Sequence, residues 1–110
     1  MTTWFVTGTD TDVGKTVFTG LFAKQIIDLG QQVVTQKWVQ TGVGLDQSDV
    51  MTHYQLMNQN PDHYQAYQKA ILPYCFSLAA SPHLAADCEQ QTIDLDRLLM
   101  SLRFLEKQFL

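Results

Sequence analysis

At 110 residues, 45% of them hydrophobic, the chain is long enough to bury one core and of ordinary size for one domain. Seven Lys and Arg against 11 Asp and Glu give a formal net charge of -4, the wrong sign for a surface that displaces counterions from nucleic acid or docks on an anionic membrane. The N-terminus lacks the basic-then-apolar pattern of a secretory signal, and no segment approaches the roughly 20 apolar residues that span a bilayer. Cys75 and Cys88 lie outside any Cys-x-x-Cys motif and read as reduced thiols of a cytoplasmic protein.

Taken in chain order, "WFVTG" (4–8) reads as a short buried strand ending in a glycine turn, and 15–29 as a helix. The helix carries Phe18, Leu21, Phe22 and Ile26 at steps that place them on one face, and Gly30 stands where a left-handed C-cap belongs. "QVVTQKWV" (32–39) is rich in β-branched residues and reads as a second strand. Strand, glycine loop, helix and strand make a βαβ unit with parallel strands and a right-handed crossover. "QTGVGLDQS" is a loop, after which Ser48 or Asp46 can cap a helix over 49–58 with Val50, Tyr54 and Met57 on its apolar face. "NQNPDHYQAYQ" reads as a polar connection, and "AILPYCF", broken by Pro73, as at best a short or edge strand. Ser81 and Pro82 suit the N-cap and first position of another helix. After Asp94, the stripe Leu95, Leu98, Leu99, Leu102, Leu105 and Phe109 marks a final amphipathic helix whose apolar face serves core packing. In an alternating α/β fold such a helix should lead into a further strand, so the chain reads as cut inside a larger domain.

The stretch with most chemistry is "GTDTDVGKT" (8–16), between a predicted strand and a predicted helix. Its small residues allow successive backbone N–H groups to turn inward around phosphate, with a helix N-terminus behind them. Lys15 can reach terminal phosphates as a point charge, and the Thr16 hydroxyl can ligate Mg²⁺. The generic motif has a glycine five positions before the Gly-Lys pair; here Thr9 holds that place and Gly8 comes one residue earlier, which makes a longer loop.

That longer loop, in "FVTGTDTDVGKT", resembles the N-terminal signature of the dethiobiotin synthetase family. "QKWVQTG" resembles the family's Lys-Pro-Val-x-Ser/Thr-Gly segment, "QSDV" its Ser-Asp helix opening, and "SPHLAA" a Ser-Pro-His segment that begins a later helix. The resemblance covers the whole chain but about the first half of the family's enzyme. It implies a P-loop NTPase-like α/β fold, a three-layer sandwich with a parallel sheet, here truncated, with residues 1–110 forming the N-terminal part of a single domain. It also implies ATP and Mg²⁺ as cofactors, 7,8-diaminopelargonic acid and CO₂ or bicarbonate as substrates, dethiobiotin as product and a homodimer as the working form.

Carried onto this sequence, the resemblance implies that the backbone from Asp12 through Val13, Gly14, Lys15 and Thr16 to Val17 holds the polyphosphate. Lys15 draws charge from the γ-phosphate, and Lys37 stabilises a carbamate and its mixed anhydride with phosphate. Thr41 and Thr11 face the substrate, while Thr16 and Asp49 ligate Mg²⁺. Trp38 replaces the family's proline after the active-site lysine, which removes a restraint on Lys37, and Asp12 replaces the commoner glutamate. The family's second half supplies a further Mg²⁺ ligand and the adenine-reading residues, so the chain alone is not expected to be a competent synthetase. A catalytically silent nucleotide-binding or regulatory module and a dimerisation fragment with a degenerate site are the rival expectations. His83 reads as structural, and His53 and His63 as surface or loop residues.

Overall fold

The computed structural model describes residues 2–8 and 12–109. Its elements run α1 (Asp12–Asp28), β1 (Val39–Thr41), a 3-10 turn (Leu45–Gln47), α2 (Asp49–Met57), a 3-10 helix (Pro61–Tyr67), α3 (Gln68–Ile71), β2 (Tyr74–Phe76), α4 (Pro82–Cys88) and α5 (Leu95–Gln108). β1 and β2 pair in parallel, with Val39 opposite Tyr74, Gln40 opposite Cys75 and Thr41 opposite Phe76. The fold is thus mixed α/β with a parallel strand pair, in keeping with a P-loop NTPase-like domain.

Several local expectations hold for the reasons that motivated them. Gly30 takes φ +88° just past α1, and its N–H donates to Ile27 O while that of Gln31 donates to Ile26 O, the paired bonds of a Schellman cap. Ser48, not Asp46, caps α2: its hydroxyl accepts from the Met51 N–H. Ser81 and Asp94 cap α4 and α5 in the same way. The broken apolar run around Pro73 yields strand β2, which pairs with β1.

Four expectations are corrected. Residues 4–8 form no strand: Phe5 is 80% exposed, and Trp4 sets its ring edge on Phe22 at 5.4 Å. The parallel partner of the second predicted strand is therefore the third, and that second strand forms its ladder over 39–41 rather than 32–39, because its partner is three residues long. The buried stripe of α1 is also not the large apolar set. Phe18 and Leu21 are exposed, whereas Thr16, Gly20 and Ala23 are buried. The reason is close approach: a Cβ on Gly20 would stand 2.7 Å from Leu56 Cβ of α2, so the crossing admits only the smallest residue. The expected polar connection after Asn58 also coils, starting where the Asn60 side chain accepts from the Asp62 N–H ahead of Tyr64, which is buried.

Two cores result. One joins Ala23 of α1 and Val50, Tyr54 and Met57 of α2 to Tyr64, Ile71, Leu105 and Phe109. The other lies on the opposite side of the strands, where Tyr74 and Phe76 pack with Ala85, Ala86 and Leu98. Only part of the α5 stripe is covered, since Leu98, Leu105 and Phe109 are buried but Leu95 is 61% exposed.

Candidate functional site

The segment entering β1 is held on both sides of Lys37. The Lys37 N–H donates to Ile71 O at 2.9 Å, and the Tyr74 N–H donates to Trp38 O at 3.2 Å. Trp38 Nε1 donates to Gln36 Oε1, and Gln36 Nε2 donates to Ala70 O at 2.8 Å. These bonds supply, by hydrogen bonding to 70–74, the restraint that a proline after Lys37 would have supplied through φ.

Residues of an extended segment alternate in direction. Gln36 and Trp38 turn toward 70–74 and the second core, and Lys37 turns toward α2, where its ammonium pairs with the Asp49 carboxylate. Asp49 opens α2, where a carboxylate is also favoured by the helix dipole. The side chains of Lys37 and Asp49 remain 24% and 22% exposed, so a ligand can reach the pair. Gln40, buried within β1, accepts from the Asp49 N–H at 2.9 Å and donates to Thr41 O at 3.2 Å. Thr41 ends the strand; with the Gln40 side chain turned to α2, alternation puts the Thr41 side chain on the other face, the one it shares with its register partner Phe76, and the chain turns away at Gly42. Gly42 has φ +84°, and an added Cβ would lie 3.2 Å from Ala79 Cβ, so both conformation and space call for glycine.

Behind the pair stands His53, one helical turn after Asp49. Its Nδ1 and Thr35 Oγ1 share a hydrogen bond of 2.8 Å, and both residues are buried. Burial first, and the nearby Lys37 charge second, push the imidazole down to about 4, so it is neutral at physiological pH. The expectation of a surface histidine is thus overturned: His53 faces inward on the same side of α2 as Asp49. His83 does lie on the surface, 3.5 Å from the Asp87 carboxylate within α4.

At the glycine loop, Thr16 is buried in the first turns of α1 and Lys15 Nζ donates to Gly8 O at 3.2 Å, a peptide carbonyl that anchors the lysine across the loop. Gly14 and Val17 are exposed at the same end of the helix. Thr11 lies outside the described residues, as do the side chains of Asp12 and Val13. An apolar groove of about 460 Å³, lined by Trp4, Phe5, Phe18, Phe22, Gly14 and Lys15 among others, runs alongside.

A family model described as an AAA domain matches residues 2–108. The chain belongs to this AAA-domain family, that of dethiobiotin synthetase. Family relatives named ATP-dependent dethiobiotin synthetase include BioD 2 of Pasteurella multocida (strain Pm70), 42% identical over 91 residues, which are 83% of this chain and 42% of that protein. BioD 2 of Haemophilus influenzae (strain ATCC 51907 / DSM 11121 / KW20 / Rd) is 35% identical over 105 residues, 96% of this chain and 54% of that protein. BioD of Lysinibacillus sphaericus (strain C3-41) is 37% identical over 113 residues, 96% of this chain and 45% of that protein. The chain spans about half the length of the curated relatives it matches. No solved structure matches it significantly.

Of the residues singled out from sequence, Lys37 and Asp49 are brought into contact and Lys15 and Thr16 share the opening of α1, while Thr41 is tied to the corner through its carbonyl oxygen, which accepts from Gln40, and its side chain lies on the Phe76 face. Sequence reading missed Thr35, Gln40 and His53. The signal available for two of them was spacing: Thr35 and Lys37 two apart on an extended segment, and Asp49 and His53 four apart on a helix.

Proposed function

We propose that this chain carries the phosphate-binding and carbamate-facing part of an ATP-dependent dethiobiotin synthetase. The observation that carries the reading is the Lys37–Asp49 pair, assembled at the end of β1 and the start of α2 from two motif positions twelve residues apart.

In this reading one amine of 7,8-diaminopelargonic acid adds to CO₂ and loses a proton to give a carbamate. A carbamate oxygen takes the γ-phosphoryl group of ATP and ADP leaves. The second amine then attacks the carbonyl carbon and expels phosphate, closing the ureido ring. This sequence gathers anions, so the protein's part is fixed positive charge and inward N–H groups more than a nucleophile. The backbone of residues 12–17 binds the polyphosphate, and Lys15 exchanges the Gly8 carbonyl for the terminal phosphates. Lys37, kept charged and oriented by Asp49, stabilises the carbamate and the mixed anhydride. Thr41 and Thr11 orient the substrate.

The donor set fits Mg²⁺, because the Thr16 hydroxyl and the Asp49 carboxylate are hard oxygen ligands and this ion commonly takes one or two protein ligands beside phosphate and water. When bound there, it neutralises charge on the phosphates. No helix among the described residues is long and apolar enough to cross a membrane, and we place the protein in the cytoplasm as a homodimer, with residues 1–110 as part of a single domain and without nucleic-acid or membrane partners.

ADP release dependent on 7,8-diaminopelargonic acid and bicarbonate tests this reading. We expect none from the 110-residue chain alone. We expect release when the chain is joined to the part of the Pasteurella multocida relative that it does not match. Lys37→Ala in the joined protein should lower turnover by about 10²–10³, the scale of losing one preorganised electrostatic group. Turnover that survives the substitution would remove Lys37 from the chemistry.

A further inference from the structure

Two partnerships, not one, join the segment before β1 to α2. Lys37 pairs with Asp49, and two residues earlier Thr35 bonds His53, four residues later. The spacings match: two residues of extended chain advance about 6.6 Å, and four residues of helix about 6.0 Å. Segment and helix, running in opposite directions, can therefore meet at both points without distortion. The third tie, from the Asp49 N–H to Gln40 Oε1, fixes only the first turn of the helix. Packing on α1 and in the first core holds α2 along its length, and the bond one turn further along fixes which residue of the extended segment stands against which turn of the helix.

We propose that Thr35 and His53 are a positioning pair that fixes the register of residues 35–37 against α2 and thereby holds Lys37 on Asp49. Register matters here because side chains alternate: a shift of one residue would turn Gln36 toward the helix and carry both Thr35 and Lys37 away from it. Gln36 is instead engaged on the other side, with Ala70 O. His53 suits the role because it is 4% exposed and stays uncharged beside an ammonium group. Neither residue belongs to the glycine loop or to the Lys37 and Asp49 motifs. The functional meaning of this pair rests on the reading of Lys37 and Asp49 given above, but its test requires no turnover.

The test is a double-mutant cycle on the full 110-residue chain. Lys37→Met and Asp49→Asn, singly and together, give the coupling between those two residues from urea unfolding. The cycle is then repeated in Thr35→Val, His53→Leu and His53→Asn backgrounds. Valine keeps the volume of Thr35 without its hydroxyl, and asparagine keeps a polar atom near the position of Nδ1. In the native background the coupling should be roughly tenfold in the unfolding constant, within the range for contacting charges. It should fall at least threefold with Thr35→Val and His53→Leu, and persist with His53→Asn. A pair that only adds stability would lower the midpoint in all three backgrounds and leave the coupling unchanged, which would overturn the proposal. So would the absence of coupling in the native background. If Thr35→Val does not fold, His53→Leu carries the expected loss and Thr35→Ser and His53→Asn the expected retention: coupling kept in His53→Leu, or lost in either of the others, contradicts the positioning role. Intact coupling control alongside inactive joined protein would sink the synthetase reading alone; active joined protein without such control would sink the positioning pair alone.

Discussion

The two halves of the candidate site are built to different degrees. At the β1–α2 corner the polar groups are paired with one another: Lys37 with Asp49, Asp49 N–H with Gln40, Thr35 with His53, and Ser48 capping the helix while fully buried. At the glycine loop the neighbouring side chains face solvent, with Trp4 65%, Phe5 80% and Phe18 56% exposed, and Lys15 rests on a carbonyl of its own loop. The contrast shows what each half depends on. The corner is closed by pairings among residues 35–53 and by the hydrogen bonds of residues 36–38 with 70–74. A phosphate loop needs a strand behind it, and residues 4–8 make no ladder here.

Three substitutions can break or sharpen this contrast. The largest effect is expected with pH at the corner. The unfolded chain's His53 takes a proton near its ordinary value of 6.5, which the folded imidazole refuses until about 4. The folded state is therefore fully stable, as far as this group is concerned, above 6.5, and loses up to about 3 kcal/mol as pH falls from 6.5 to 4. Urea unfolding across that window, compared with His53→Asn, should show the native chain weakening more steeply; equal slopes would mean that His53 is not buried as described. Next is Gly20→Val in the wall that joins the two halves. Overpacking against Leu56 should cost about 2 kcal/mol in the same assay, and a neutral result would mean that α1 does not cross α2 this closely. The smallest concerns the loop side: Phe5→Ser should change stability by less than about 0.5 kcal/mol, because the ring is exposed. A larger loss would show that residues 4–8 are packed after all.

Much of this was legible in the sequence where the determinants are local. Gly30 past the end of a periodic run, Ser48 and Ser81 before helices, and Pro82 at a first turn each state a backbone requirement that no distant contact overrides. The positions of Lys37 and Asp49 were legible through motif order. What could not be read was which face of α1 is buried. Phe18, Leu21, Phe22 and Ile26 look like the core face by hydrophobicity, yet close approach of two helices selects Thr16, Gly20 and Ala23, and that choice is made by the partner helix. Pairing of β1 with β2 likewise depends on residues 35 positions apart. His53 was misread for the same reason: nothing near it in sequence announces Thr35, eighteen residues earlier.

The central claim is that the loop before α1 holds the phosphates of a nucleotide through Lys15. Isothermal titration of Mg-ATP into the 110-residue chain and its Lys15→Ala variant measures this directly. Saturable binding by the native chain that disappears in Lys15→Ala is the predicted result; no binding by the native chain, or equal affinity in both proteins, would contradict it.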